Sequence, residues 1–400
     1  MAAAFDPRDP DFVRDPYPTY AALRRDDPLH RAPFGYFVLT RYADVAAALR
    51  DPAFRNGPSR HAVVNERNRG RYVCADVAAN VLPFLDPPRH TRLRKEIGRA
   101  FQAHLARHPP DLRALAEERL RPLLERGELD LVGDFATPFS VAVIGRVLGV
   151  PEEDAPRLEA WSEAFFYLFA PIPSEEVLAR VDRELAAFRG YFASLLEERR
   201  RAPRADLISV LARADGLGDA EVADTCMLLF ADGVENVDRG IANAVLALLE
   251  HEDELRRLRA DPRLDEPAVH ELLRYDSPAQ FIGRIAREEL RLHGATIRAE
   301  QPVFLVLASA NRDAERFEDP DALHLDRADN PHLAFGQGRH GCLGGGLVAA
   351  EMRAAIRAIL ENLDELRLAG PLRWVARPGH RWLEALPVRF APSCGKMGPS

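Results

Sequence analysis

Apolar side chains return every three or four positions through most of the chain, the period of an amphipathic helix. The pattern predicts helices in YPTYAALRRD, RYADVAAALR, PPRHTRLRKEIGRAF, PDLRALAEERLRPLLERG, SVAVIGRVLGV, PRLEAWSEAFFYLFA, SEEVLARVDRELAAFRGYFASLLEERRRA, residues 221 to 259, EPAVHELLRYD and LVAAEMRAAIRAILENLD. Several start at a Pro or an acid, where helices commonly begin. Short β-rich runs predict strands in PLHRAP, GYFVLT, AREELRL, PVFLVLAS and ALPVRFAP. Two stretches break the rhythm. Residues 53 to 88, rich in Arg, Asn, Gly and Pro, read as a long loop with one short helix, and LFAPIPSEE, 168 to 176, reads as a turn. Long irregular segments in compact domains commonly serve as lids or binding loops. No internal repeat or long linker interrupts the chain. The expectation is one large domain over residues 1–392, mainly α with minor β sheets, and a disordered tail at 393–400.

Composition narrows the class. Of 400 residues 47% are apolar and 29% charged, ordinary for a soluble protein with a large core. The first twenty residues contain no apolar run of signal-peptide or membrane-spanning kind, so a cytoplasmic protein with no membrane partner is expected. A net charge of −8 argues against nucleic acid as the main partner, because phosphate binding needs a basic excess. Cys74, Cys226, Cys342 and Cys394 are widely separated and form no CxxC, which excludes a disulfide framework and a zinc site of that type. Only Lys95 and Lys396 are lysines.

The chemistry is concentrated in NPHLAFGQGRHGCLGGGLVAAEMRAAI, residues 330 to 356. Cys342 precedes three glycines that open an amphipathic helix. Unpaired backbone N–H groups and the dipole at a helix N-terminus stabilise a thiolate there, and the glycines allow a flat, bulky group to approach. On its own the loop also fits a buried free cysteine in a tight turn. The run Phe335, Gly338, Cys342 and Gly344 resembles the haem-binding loop FxxGxxxCxG of the cytochromes P450. In that family the cysteine is the proximal iron ligand and pushes electron density toward the metal.

Other segments resemble the family in order and spacing over residues 5 to 392. ELLRY supplies Glu271 and Arg274, an i, i+3 pair matching the ExxR staple, with Arg327 as the third member. The resemblance implies that His90 and Arg94 in DPPRHTRLRKEIGRAF, Arg284 in SPAQFIGRIA and His340 meet the two haem propionates, while Phe335 belongs to the haem-binding loop. It most resembles the soluble bacterial branch. That branch implies haem b, oxygen as cosubstrate, and electrons from NAD(P)H through a separate ferredoxin and ferredoxin reductase, in a monomer.

The predicted helix from 221 to 259 carries FADGVENVDRG, a polar station in an otherwise apolar sequence. The resemblance places it where the distal helix crosses the haem, with the usual pattern A/G-G-x-D/E-T. Asp232 falls on the small residue, Gly233 on the glycine, Glu235 on the acid and Asn236 on the threonine, so two of four positions depart. The implied roles are a glycine kink that opens a groove for oxygen and water, proton delivery by Glu235, and a water held by Asn236, which cannot easily relay a proton. Asp232 and Asn236 are four apart and share one helix face. Three readings of Asp232 stand: it binds a cationic or hydroxyl group of the substrate, joins proton delivery, or points away and caps a backbone group. For Glu235 the alternative is an ion pair with an arginine.

Substrate contacts are expected from the 53 to 88 loop, from Phe165, Phe166 and Phe169, and from Phe281. The arginines and His61 of the 53 to 70 segment suit an anionic or carrier-tethered substrate or a solvated loop. Arg92, Lys95, Arg99, Arg107 and Arg339 suit an acidic ferredoxin. The reading is a haem-thiolate monooxygenase acting on a small or medium natural product, with an oxidase of the same family, performing coupling, desaturation or ring formation, as the alternative. A haem sensor without catalysis is a third class, weakened by the absence of an output segment outside the matched region.

Overall fold

The computed structural model describes residues 5–32 and 35–392; the expected tail at 393–400 lies outside the described residues. Six helices carry most of the argument: α1 (Arg89–Arg107), α2 (Ala155–Phe166), α3 (Glu175–Arg201), α4 (Asp219–Glu250), α5 (Asp265–Tyr275) and α6 (Gly345–Asn362). Four strands join them: β1 (Leu29–Arg31), β2 (Phe37–Leu39), β3 (Ile282–Ala286) and β4 (Pro302–Leu305). The chain divides into two compact units. One holds the N-terminal segment to Phe54, Leu112–Phe139 and the chain from Asn236 onward; the other holds Arg55–Asp111 and Ser140–Glu235.

In the first unit, β2 pairs antiparallel with β1 and parallel with β4, which pairs antiparallel with β3. Alternating side chains bury Leu29, Phe37, Leu39, Val303 and Leu305 together with Val45 and Leu49 from the helix Tyr42–Arg50. Leu333, just ahead of the cysteine loop, belongs to the same core, so burial of one leucine moors the loop to the sheet. A three-strand sheet pairs Pro387–Pro392 with Glu128–Asp130 and Leu363–Leu368. Glu128–Asp130 is too short, and LDELRL too charged, to signal a strand by pattern.

In the second unit, α1 turns Leu93, Ile97, Ala100 and Phe101 inward at spacings of three and four. Phe188 and Phe192 of α3 pack against Phe230 of α4. The irregular 55 to 88 segment contains the short helix Val73–Ala78, begun where Asp182 accepts from the N–H groups of Val73 and Cys74 at 3.1 and 2.9 Å. Two single 3₁₀ turns, Glu66–Asn68 and Leu82–Phe84, flank it.

The predicted helix from 221 to 259 is two helices, α4 and Glu252–Ala260, divided at His251. Glu252, Asp253 and Glu254 fill the first turn of the second; three acids favour a helix start and disfavour a helix interior at that point. Leu131–Leu148 is long and apolar enough to cross a membrane by length and composition, but most of it is buried within the protein.

Candidate functional site

The cysteine loop is built on left-handed backbone that favours glycine. Gly336 and Gly338 hold φ of 63° and 71°, and a Cβ on Gly338 would lie 2.8 Å from the carbonyl oxygen of Leu49. The Cys342 N–H donates to the Phe335 carbonyl at 2.7 Å, closing the turn, and the Phe335 ring lies 3.5 Å from where a Cβ on Gly345 would be. α6 follows with Gly344 at its N-cap and no side-chain cap, leaving the N-terminal N–H groups to face the loop. Cys342 is exposed, whereas Cys74 and Cys226 are buried with thiols that burial pushes well above their ordinary range. A Cβ on Gly344 or Gly346 would meet nothing within 4 Å. An accessible thiol beside open glycine backbone is the arrangement a flat metal macrocycle requires of its ligand.

The Glu271 cluster holds the loop from behind. Glu271 and Arg274 are 0% exposed. Arg274 donates to both carboxylate oxygens at 2.7 and 2.8 Å and to the carbonyls of Asn311, Pro320 and Ala322, so all five of its N–H donors are used. Arg327 donates to both Glu271 oxygens at 3.1 Å, Asn330 to one at 3.2 Å, and the His324 N–H to the other at 3.0 Å. Arg327 is thus the third member that the sequence predicts. Asn311 accepts from the Leu333 N–H at 2.6 Å, tying the network to the loop entrance. Asn311 and Asn330 were not legible as functional residues, because a lone asparagine carries no pattern.

The residues expected around the cofactor fall on both units. In the first, Arg284 is 5% exposed on β3 and donates to the Gly283 carbonyl, and His340 is half-buried in the turn Gly338–His340. In the second, His90 is buried on the first turn of α1, and Arg94, one helical turn on, is half-buried.

α4 is assigned as helix throughout Asp219–Glu250, Gly233 included. What requires the glycine is packing: a Cβ there would lie 2.8 Å from Cγ1 of Ile144. Glu235 accepts from Ser162 at 3.0 Å and forms no ion pair with arginine among the described residues. Ser162 is a functional neighbour that sequence patterning missed, since a serine inside the amphipathic α2 gives no signal. Phe230, Ala231, Val234 and Val237 are fully buried, while Asp232, Gly233, Glu235 and Asn236 keep accessible surface. Among the described residues Asp232 makes no hydrogen bond or ion pair, so the capping reading is not what the structure holds there; burial pushes its carboxyl up to about 7. The Asn236 Oδ1 atom is buried without a partner.

The aromatic expectations divide. Phe165 and Phe166 are buried, and Phe169, 41% exposed, stacks on Phe84 at 4.9 Å, joining the turn after α2 to the irregular loop. Phe281 instead packs against Phe5 and Phe304 at 5.3 and 5.1 Å in an aromatic core cluster. His61 is exposed. Of the basic residues on α1, Arg92 pairs with Glu221 and Arg99 with Glu96, which reduces their net attraction for an acidic partner.

Comparison with known proteins agrees with these motifs. A family model described as Cytochrome P450 matches residues 264–366. The chain is 34% identical over 400 residues to the biotin biosynthesis cytochrome P450 of Bacillus subtilis, covering 98% of this chain and 100% of that protein. It is 37% identical over 402 residues to the cytochrome P450 monooxygenase PikC of Streptomyces venezuelae, covering 95% and 92%. Among solved structures, CalO2 matches with a TM-score of 0.92 at 34% identity over 98% of this chain and 99% of that one. P450BioI, solved with an acyl carrier protein bearing hexadec-9Z-enoic acid, matches with a TM-score of 0.87 at 33% identity over 95% and 100%.

Proposed function

Because the chain belongs to the cytochrome P450 family and is an enzyme of the P450 monooxygenase kind, we propose that it inserts one oxygen atom from O2 into a small or medium natural-product substrate with Cys342 as the proximal iron ligand. The observation that carries this is the exposed Cys342 at the uncapped start of α6, in a glycine loop moored by the Glu271 network. The donor set fits haem b: one accessible thiol in an open cradle, with His90, Arg94, Arg284 and His340 as cationic or donor groups for two propionates. Haem bound there supplies the iron at which dioxygen is cleaved.

The chain's own residues set the conditions for that chemistry. The α6 N–H groups and dipole hold Cys342 as thiolate. Glu235 is the carboxyl placed for proton delivery, and Ser162, donating to it at 3.0 Å, fixes that carboxyl rather than leaving it to swing. Asn236 orients a water through its amide. Electrons come from NAD(P)H through a ferredoxin and its reductase, in the cytoplasm. Delivery on a carrier protein is supported by the likeness to P450BioI, which was solved with such a carrier.

Asn236 favours a second reading. Without the usual hydroxyl the enzyme is suited to coupling, desaturation or ring formation with no net oxygen insertion. Two measurements test these assignments. The reduced CO adduct should show the red-shifted band of thiolate ligation, lost in Cys342→Ala. Aerobic turnover with a surrogate ferredoxin, reductase and NADPH should give a product heavier by one oxygen; loss of two hydrogens selects the second reading.

A further inference from the structure

We propose that Asp232 is the polar anchor for the substrate and that the substrate carries a protonated amine. The inference rests on the P450 reading above and names the substrate class for that site. Three observations on α4 carry it. Among the described residues Asp232 has no hydrogen bond or ion pair, although arginines abound and the rest of the helix circumference there is packed. The Asn236 Oδ1 atom, one turn further along the same face, is a buried acceptor with no partner among the described residues. Both side chains belong to the positions of α4 that keep accessible surface.

Carboxylates largely withdrawn from solvent are normally paired or hydrogen-bonded, so a half-buried carboxylate and a buried amide oxygen without a donor on one face describe the complement of a missing donor. An alkylammonium group supplies both the charge that Asp232 lacks and an N–H for it to accept. The competing roles fit less well. A cap would show a bond to backbone, and a proton relay needs a hydrogen-bonded neighbour; Glu235 has Ser162, whereas Asp232 has none. Asp232 therefore acts on substrate orientation, holding the amine at the distal helix so that carbon a fixed distance from nitrogen is presented for oxidation.

The test uses the haem-loaded enzyme and probes sharing one skeleton: N,N-dimethyldecylamine, protonated at neutral pH, and the uncharged N,N-dimethyldecanamide, with decanol as a hydroxyl donor. Binding is read by calorimetry and by absorption difference titration, alongside the reduced CO spectrum of every variant. In wild type the amine should bind at least about tenfold more tightly than the amide, and Asp232→Asn should remove that preference while amide and decanol affinities stay within about threefold. Asp232→Glu should retain a preference for the amine. An amine affinity unchanged in Asp232→Asn, no binding of the amine to wild type, or an equal loss for decanol would overturn the proposal while the CO band stands. A wild-type enzyme with no thiolate band would instead overturn the P450 reading on which it rests.

Discussion

Replacing Glu271 with glutamine tests whether the buried ion network, rather than the glycine loop itself, keeps Cys342 in place. The substitution is nearly isosteric, yet it turns an acceptor of six hydrogen bonds, from Arg274, Arg327, Asn330 and His324, into a half-donor. One amide N–H would then face existing N–H donors, and the buried Arg274 and half-buried Arg327 would lose the carboxylate they share. Breaking a buried pair by removing one partner costs about 3–5 kcal/mol, a large share of the ~5–15 kcal/mol that stabilises a typical domain. The effect should reach the loop, because Asn330 binds Glu271 directly and Arg274 holds the Asn311 carbonyl while Asn311 holds Leu333. Glu271→Gln should therefore lower stability to urea by that amount and reduce haem retention in the purified protein. Arg353→Gln is the matched control on another ion pair of α5, since the Arg353–Glu266 bridge is largely exposed and such pairs are worth less than about 1 kcal/mol. A Glu271→Gln enzyme within 1 kcal/mol of wild type by the urea assay, at full haem content, would refute the mooring argument.

Four further outcomes are expected. Gly338→Ala, which sets a Cβ 2.8 Å from a backbone oxygen at positive φ, should cost about 2 kcal/mol, whereas Gly346→Ala, with nothing within 4 Å, should gain up to about 1 kcal/mol of helix propensity; thermal unfolding of the two separates backbone strain from simple loss of glycine. Gly233→Ala should destabilise by about 1–3 kcal/mol through overpacking against Ile144, and adding Ile144→Ala should recover part of that loss in a double-mutant cycle. Asp232, whose carboxyl is raised from 3.8 to about 7, penalises the ligand-free fold as it ionises: the penalty is absent below the unfolded value and complete above the folded one. Asp232→Asn should then gain stability over wild type between pH 5 and 8 by at most about 3 kcal/mol, and a pH-independent difference would show that the carboxyl is not desolvated. Ser162→Ala should free the Glu235 carboxyl and raise the proportion of reducing equivalents lost as peroxide or water; unchanged coupling would assign Ser162 to packing.

The helices, the cysteine loop and the ExxR pair were legible in sequence because each is specified by contiguous spacing. Cys342, Gly338 and Phe335 lie within eight residues, and Glu271 and Arg274 on one helical turn. What could not be read was any partner supplied from far along the chain. Ser162 meets Glu235 across 73 residues, and Asn311 reaches Leu333 across 22. A second requirement on Gly233 was hidden for the same reason. The sequence shows a glycine in a helix, which suggests a kink, but Ile144 approaches from another helix and makes the position a matter of clearance. Phe281 illustrates the reverse: its neighbourhood in sequence suggested a pocket, while Phe5 and Phe304 claim it for the core.

The two polar centres differ in completeness, and the difference separates support from function. Around Glu271 each carboxylate oxygen and all five Arg274 donors have partners within the chain, so that cluster can be satisfied with nothing bound and serves to fix a loop. On α4 the half-buried Asp232 carboxylate and the buried Asn236 Oδ1 have no partner among the described residues, at the two positions where this chain departs from the family pattern. Unsatisfied polar groups in a native interior are few and costly. Retaining one departure with an unmet acceptor could reflect drift, but two on a single face, four residues apart, would compound the cost unless something bound restores the missing donors. A water held by Asn236 can serve its amide, yet a water brings no charge to the carboxylate of Asp232. The carboxylate adds a negative charge, and only a cationic ligand makes that charge favourable at depth.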